Sequence, residues 1–106
     1  MWQVVIHPLV WKEDFARLDP QARQQIAKAL RKKLTLDPVA FGKPLGGSLK
    51  GYWRLHIGDY RVIYRIERRR LIVLVIKAGM RRDEQIYLEA IPRLRKLGWL
   101  SVPAQV

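Results

Sequence analysis

The spacing of hydrophobic residues changes along this chain, and each change marks a predicted helix or strand. Residues 2–6 are β-formers and predict a short strand, and Pro8 opens a stretch with apolar residues at helical spacing. Asp19 has the position of a helix N-cap, followed by a proline and by apolar residues that recur up to a second proline. We therefore predict a short helix after Pro8 and a longer helix over residues 20–36.

Three alternating segments follow a turn-rich loop, which we predict at residues 37–49. Only short connections join these segments, so each neighbouring pair is predicted to form an antiparallel hairpin. The last segment contains "LIVLVI", which is apolar on both faces and is therefore typical of a central strand. The predicted strands span about 50–57, 60–67 and 70–77.

After the strands, "LEAIPRLRKLG" predicts a short C-terminal helix. The predicted fold class is α+β: a small single domain at residues 1–97, with a mainly antiparallel sheet and two N-terminal helices packed on one face. Residues 98–106 form a C-terminal tail, in which Trp99 and Leu100 either pack back on the domain or fray.

The charge of the chain points from this fold toward a function. The 106 residues include 21 lysines and arginines but only 9 acidic residues, which gives a formal net charge of +12. Because 49% of the residues are hydrophobic, the chain is predicted to be globular, and this charge lies on a folded surface. Such an excess favours a polyanionic partner: nucleic acid first, an acidic protein second and an anionic membrane third.

The composition also argues against several kinds of site. The chain has no cysteine, hence no disulfide and no thiolate metal site, and its two histidines, His7 and His56, lack metal-ligand spacing. We therefore expect no metal and no cofactor. The apolar N-terminus lacks a basic leader and the longest apolar run is too short to span a bilayer, so a cytoplasmic location is the simplest interpretation.

The segment "LKGYWRLHIGDYRVIYRI" places much of the charge on one side of the predicted sheet. Because side chains alternate along a strand, Trp53 and Leu55 face the helices, whereas Arg54 and His56 lie on the opposite face. Residues 50–70 contain seven lysines and arginines and two acidic residues, with aromatic residues between them. A solvated outer face is the ordinary explanation, but the single sign of the charge and the interleaved aromatic residues favour RNA binding.

Two sequence blocks resemble the RelE/ParE superfamily of bacterial and archaeal toxins. The first is "L.G...GYWRLHIGDYRVIY" and the second is the G-x-R-(x)5-Y pattern in "LIVLVIKAGMRRDEQIY"; together the resemblance covers about residues 1–96. The chain is most similar to the RelE branch of ribosome-dependent messenger-RNA endonucleases. The resemblance implies a RelE-like fold and the toxin of a type II toxin–antitoxin pair, with messenger RNA, the ribosome and a cognate acidic antitoxin as partners.

The resemblance also implies roles for individual residues, since the RelE branch cuts messenger RNA without metal by attack of the ribose 2′-OH on its neighbouring phosphate. By position in the two blocks, Arg54 matches a basic residue near the 2′-OH and Arg61 matches the phosphate-binding arginine. Arg81 matches the arginine at the leaving group, and Tyr87 matches a tyrosine that orients the substrate. The further RNA contacts predicted on the same surface are Lys50, Tyr52, His56, Arg65, Lys77 and Arg82.

Each assignment also has a purely structural explanation. Arg61 can pair with Asp59 and stabilise the hairpin, and Tyr87 can be a helix-packing aromatic residue. Tyr52 stands where several relatives carry a lysine and Met80 where they often carry a histidine, so the site lacks an obvious general base. Two other functions therefore stay open: a ParE-like inhibitor of DNA gyrase, and a non-catalytic RNA-binding domain of the same fold.

Overall fold

A five-stranded sheet forms the centre of the domain. The structure is a computed structural model that describes residues 1–80 and 85–99. Within them the strands are β1 (Gln3–Ile6), β2 (Lys43–Pro44), β3 (Tyr52–Ile57), β4 (Tyr60–Glu67) and β5 (Ile72–Met80), in the spatial order β1-β5-β4-β3-β2. β1 and β5 run parallel and the other neighbouring strands run antiparallel, which confirms the predicted class and the inner position of β5.

Helical segments flank this sheet. A π-helical turn at Val10–Asp14 runs into a 3₁₀ turn at Phe15–Arg17, and the main helices are α1 (Pro20–Ala29), α2 (Pro38–Phe41) and α3 (Gln85–Leu97). Helix α1 begins where predicted, because Asp19 Oδ1 accepts a hydrogen bond from the Ala22 amide at 2.8 Å. It continues as a π-helical segment at Leu30–Leu34, close to the predicted end of the helix. No helix within the described residues is both long and apolar enough to cross a membrane.

The stretch predicted as a loop at residues 37–49 is more ordered than expected. Asp37 and Pro38 repeat the Asp-Pro pair that starts α1, and Asp37 Oδ1 accepts a hydrogen bond from the Ala40 amide at 3.0 Å, so α2 begins here. β2 follows and pairs with β3, which makes it the edge of the sheet. The prediction treated the second Asp-Pro pair only as the end of the preceding helix, and it was wrong at these positions.

The predicted register of β3 is confirmed by which of its side chains are buried. Leu55 and Ile57 lie in a cluster with Ile26, Leu30 and other apolar residues of the N-terminal helical layer. Because side chains alternate, the neighbouring Arg54 lies on the other face. A slip of one residue would have exchanged the two faces completely.

The second face of the sheet also has its own core, which we did not predict. Helix α3 places Ile86, Ala90 and Leu94 in a buried cluster with Ile63 and Ile76 of the sheet. These three helix residues are spaced four apart and therefore form one stripe of α3. The charged face is consequently divided into a part beneath α3 and a part beyond it, and only the second part is open to a ligand.

A buried ion-pair cluster connects the first helical segment, β5 and α3. The Asp14 carboxylate accepts hydrogen bonds from Lys77 Nζ at 3.0 Å, the Ala78 amide at 2.9 Å, and Arg93 Nη1 and Nη2 at 2.7 and 2.9 Å. The side chains of these three ionic residues are 1%, 7% and 8% exposed, in the order Asp14, Lys77, Arg93. We refer to Asp14, Lys77 and Arg93 as the Asp14 cluster.

The Asp14 cluster forms where β5 extends beyond the end of β1. β1 pairs only with the first part of β5, through Val75, so the Ala78 amide has no strand partner on that side and donates to Asp14 instead. On its other side Ala78 pairs with Val62 of β4. Burial by itself lowers the pKa of Arg93, but its hydrogen bonds and charge interactions with Asp14 and Glu13 outweigh burial and raise that pKa overall. The cluster thus replaces a missing strand and fixes α3 to the sheet.

The chain after α3 packs back on the domain through Trp99. Its amide donates to the Leu94 carbonyl at 2.9 Å, its carbonyl accepts from the Tyr52 hydroxyl at 3.1 Å, and its ring meets the His7 ring edge-on with centroids 5.3 Å apart. Of the two predicted alternatives for the tail, Trp99 therefore adopts the packed one. Residues 100–106 lie outside the described residues.

We expect His7 to make the stability of the domain depend on pH. Burial and the neighbouring Arg93 charge lower the pKa of His7, whose Nδ1 accepts a hydrogen bond from the Leu9 amide at 3.0 Å. Protonation disfavours the folded state, so this contribution is complete above the usual histidine pKa of about 6.5 and is lost as pH falls through the lowered pKa. In urea titrations between pH 7 and 5, His7→Asn should lose less unfolding free energy than the parent does. Equal losses in the two proteins would contradict this expectation.

Candidate nucleic-acid interface

The predicted RNA-binding residues of the strands lie in three rows that cross the sheet from β3 through β4 to β5. Paired residues on neighbouring strands point to the same face, so the register groups the side chains row by row. The rows are His56–Arg61–Gly79, Arg54–Ile63–Lys77 and Tyr52–Arg65–Leu74. We refer to them as the first, second and third row, starting from the β3–β4 turn.

Arg61 occupies the centre of the first row. It is only 8% exposed, and its Nη1 donates to the Tyr60 carbonyl at 2.9 Å and to the Gly58 carbonyl at 3.2 Å. The alternative pairing with Asp59 is not formed, and within residues 1–80 and 85–99 no carboxylate lies at ion-pair distance from Arg61. Backbone carbonyls therefore orient this guanidinium, and its positive charge stays without an acidic counterion in the described part of the chain.

Arg54 and His56 follow one another on the same face of β3. Arg54 Nη1 contacts His56 Nε2, and Arg54 is half-buried whereas His56 is exposed. Lys43 lies directly opposite Arg54 on β2 and adds a further exposed cation. Sequence reasoning missed Lys43 because it assigned residues 37–49 to a loop; the repeated Asp-Pro pair was the signal that more structure begins there.

The third row contains a buried tyrosine, Tyr52, and a partly exposed arginine, Arg65. Tyr52 is 4% exposed and donates to Trp99, and burial raises its pKa, an effect that the nearby Arg65 partly offsets. Arg65 forms an ion pair with Glu67 at 2.7 Å and stacks over the Trp99 ring at 6.0 Å. The RNA contact predicted for Tyr52 is therefore corrected to a packing role, whereas Arg65, which is ion-paired but partly exposed, stays a predicted RNA contact.

Lys77, at the end of the second row, is also corrected. It is 5% exposed, and its ammonium group lies 3.0 Å from Asp14 and 3.3 Å from Glu89. Two carboxylates neutralise this lysine in the interior, so it stabilises the domain and offers no surface to a nucleic acid. Lys77 was predicted to continue the basic face, but it belongs to the Asp14 cluster.

Two other predicted residues of the described part, Lys50 and Tyr87, lie outside the three rows. Lys50 is exposed just before β3, and Tyr87 is half-buried on α3, where it packs against the second core. Arg81 and Arg82 fall outside the described residues. Within the described part of the chain, no three histidine or acidic side chains are grouped as a metal site would require.

Comparison with known proteins decides the family. A family model for the ParE toxin of type II toxin–antitoxin systems matches residues 4–84, which is most of the domain. The chain belongs to the RelE/ParE toxin superfamily. This toxin therefore carries the fold and the sequence blocks of a type II toxin, as the resemblance of its sequence implied.

Individual relatives of this toxin come from the RelE-like branch. Toxin RelG of Mycobacterium tuberculosis is 28% identical over 72 residues, which span 68% of this chain and 83% of RelG. The toxin–antitoxin complex RelBE2 of the same organism contains a chain with a TM-score of 0.71 and 25% identity, over 76% of this toxin and 98% of that chain. The isolated RelE toxin of E. coli, at 21% identity, shares the fold with a TM-score of 0.63 over 89% of this toxin and 99% of RelE.

Proposed function

We propose that this toxin is an endoribonuclease that cleaves messenger RNA on the ribosome without a metal ion and thereby inhibits translation in the cytoplasm. One observation carries the proposal: Arg54 and Arg61 lie on one face of the sheet beside the β3–β4 turn, and no carboxylate of the described residues neutralises either guanidinium. Cations held in this way are suited to binding the phosphates of RNA. The similarity to RelE-branch toxins supports this activity over simple RNA binding.

The proposed reaction needs only groups that bind charge and move protons. The ribose 2′ oxygen bonds to phosphorus as the bond from phosphorus to the 5′ oxygen breaks; the 2′-OH loses a proton and the leaving oxygen gains one. The products are a 2′,3′-cyclic phosphate and a 5′-OH. Arg61 stabilises the negative charge that develops on the phosphorane, because its carbonyl partners hold it in place before the substrate arrives.

The remaining roles follow the family pattern. Arg54 is proposed to bind the RNA beside the 2′-OH and not to act as the base, because a guanidinium offers hydrogen-bond donors and no acceptor. Arg81 is proposed to stabilise the leaving oxygen and Tyr87 to orient the substrate. His56, exposed in the first row, and Lys50, exposed before β3 beyond the third row, supply further RNA contacts, as does Arg82.

Cleavage of messenger RNA on translating ribosomes tests this function directly. We expect the purified toxin to cut ribosome-bound messenger RNA in the presence of EDTA and to leave a cyclic phosphate. A messenger RNA with a single 2′-deoxy nucleotide at the cut position should resist cleavage there. Cutting of the deoxy position at the normal rate would exclude 2′-OH attack, and binding without cleavage would indicate a non-catalytic RNA-binding domain.

Inhibition of DNA gyrase is the second candidate function, because the matching family model describes a ParE toxin. An inhibitor acts by binding a protein and does not need Arg54 and Arg61 as a pair. Supercoiling assays with purified gyrase separate the two candidates. Inhibition of gyrase that persists in Arg61→Ala, without any cleavage of messenger RNA, would favour the second candidate.

We also propose that an acidic antitoxin neutralises this toxin and forms a hetero-oligomer with it. Several structural relatives are toxin–antitoxin complexes, including RelBE2 and the E. coli RelE mutant with an antitoxin RelBc peptide. A chain of net charge +12 complements an acidic segment that folds as it binds.

This partnership predicts an association rate that depends strongly on salt. Because opposite charges steer the encounter, we expect stopped-flow association with an acidic antitoxin peptide to slow by about tenfold or more between low and high salt. Lys28→Gln with Lys32→Gln, which removes two exposed charges of the α1 segment, should reduce the salt effect. An association rate that is the same at both salt concentrations would rule out electrostatic steering.

A further inference from the structure

A recess beside Arg54 at the edge of the sheet combines cations with an exposed aromatic ring. It has a volume of about 230 Å³, and its lining includes Lys33, Phe41, Lys43, Arg54, Leu55 and His56. Among the described residues that line it, three are lysine or arginine and none is acidic. Phe41 is 48% exposed and is therefore available as a stacking surface. We refer to this site as the Phe41 recess.

The backbone around Phe41 is fixed by a buried hydrogen bond. The Tyr64 hydroxyl donates to the Pro38 carbonyl at 2.6 Å, and burial, assisted by the nearby Asp37 charge, raises the Tyr64 pKa so that the donor proton is retained. A Cβ atom at Gly42 would overlap the Tyr64 hydroxyl, so a glycine is required for the chain to pass. Phe41 and Lys43 flank this glycine and are therefore held in place before any ligand binds.

The cations of the Phe41 recess come from different elements of the fold. Lys43 lies opposite Arg54 across the β2–β3 pair, and Lys33 belongs to the helical segment Leu30–Leu34, so three elements supply the cations that line the recess. Bases stack on aromatic rings regardless of sequence, while lysines and arginines hold the phosphates beside them. The buried side chain of Leu55 supplies an apolar wall.

We propose that the Phe41 recess binds one nucleotide of single-stranded RNA, with its base on Phe41 and its phosphates held by Lys33 and Lys43. This inference rests on the proposed function, since Arg54 lines the recess and also belongs to the candidate cleavage site. The recess then holds a neighbouring nucleotide of the strand that is cut. Binding there positions the strand for in-line attack and adds no reacting group.

A second groove also contains an exposed aromatic ring but has fewer cations than the Phe41 recess. Trp11, 59% exposed, lines a larger and mainly apolar groove with Phe15 and Pro20, in which Arg23 is the cation among the described lining residues. An aromatic ring with a single cation offers stacking without a phosphate clamp. Trp11→Ala is therefore a matched control for the loss of an exposed aromatic ring.

Binding of two short strands tests the Phe41 recess. One is a fluorescent 2′-O-methyl oligouridine, which cannot be cleaved by 2′-OH attack, and the other is an abasic strand of the same length. Phe41→Ala should weaken oligouridine binding by about 5- to 100-fold without changing abasic-strand binding, whereas Phe41→Trp and Trp11→Ala should both bind like the parent. Lys33→Gln and Lys43→Gln should each weaken binding of both strands. Each should also make the negative slope of log affinity against log salt shallower by about 0.7.

The results separate this inference from the proposed function. If Phe41→Ala retains its thermal unfolding temperature and binds both strands like the parent, the Phe41 recess is not an RNA site, even if ribosome-bound messenger RNA is cleaved normally. Poly-glutamate, as a model of an acidic protein, is measured beside the two strands. If Lys33→Gln and Lys43→Gln weaken binding of poly-glutamate but of neither strand, the recess binds an acidic protein and the inference is overturned. A loss in Phe41→Ala restricted to oligouridine supports the recess even if the parent fails to cleave messenger RNA.

Discussion

Arg61→Ala should slow single-turnover cleavage of ribosome-bound messenger RNA by about 10²–10³-fold, while binding to the ribosome is retained. The reason is that a preorganised charge beside a developing oxyanion acts mainly in the transition state. Arg61 is preorganised by the Gly58 and Tyr60 carbonyls and has no carboxylate among the described residues to neutralise it. The rate loss corresponds to about 3–4 kcal/mol of transition-state stabilisation.

Arg70→Ala is the matched control for this experiment. Arg61 lies at the start of β4, and Arg70 is exposed in the turn that follows β4. Each substitution therefore removes one positive charge from β4 or the turn after it. We expect Arg70→Ala to cleave at nearly the parent rate. Arg61→Lys should restore little activity if a planar, two-pronged contact is needed. Because Arg61 is buried, thermal unfolding of each variant must accompany the rates, and parent-like cleavage by a folded Arg61→Ala would refute the role.

Asp14→Ala should lower the free energy of unfolding by about 3–5 kcal/mol. The substitution leaves Lys77 and Arg93 as buried cations without their shared carboxylate, and it leaves the Ala78 amide without an acceptor. Glu89 and Glu13 remain beside these cations but are partly exposed, and a buried charge that is incompletely compensated costs far more than the ion pair contributed. Urea unfolding of the purified variant gives the measurement.

Glu13→Gln serves as the control for Asp14→Ala. Glu13 also pairs with Arg93, at 2.9 Å, but its side chain is 48% exposed, so its removal should cost less than about 1 kcal/mol. A large loss in Asp14→Ala with a small loss in Glu13→Gln would locate the energy in the buried part of the cluster. If the two variants were equally stable, Asp14 would not be the centre of the network.

Local signals in the sequence were sufficient for most of the sheet. β4 was predicted at its observed bounds, because short turns on either side fix a hairpin strand and alternation fixes its faces. β5 extends three residues further than predicted, since the pattern of "LIVLVI" ends before Ala78 and its backbone is completed by Asp14, a residue more than sixty positions away. A hydrogen-bond partner so distant in sequence, such as Asp14, cannot be predicted from the local spacing of hydrophobic residues.

The candidate site was less predictable than the sheet for the same reason. Alternation correctly placed Arg54 and Leu55 on opposite faces, but it could not show that α3 would close one end of the basic face. Burial of Tyr52 and Lys77 depends on this long-range packing and on charges from distant segments. A count of basic residues along a strand therefore overestimates the surface that is open to RNA.

The Asp14 cluster also constrains when during synthesis this domain can become complete. Its three side chains come from the first helical segment, β5 and α3, and Arg93 follows Asp14 by 79 positions in the sequence. β1 likewise cannot pair in the sheet until its parallel neighbour β5 has been synthesised. A nascent chain that has not yet released α3 from the ribosome lacks Arg93 beside Asp14 and Glu89 beside Lys77, so this network is completed only after α3 has been synthesised.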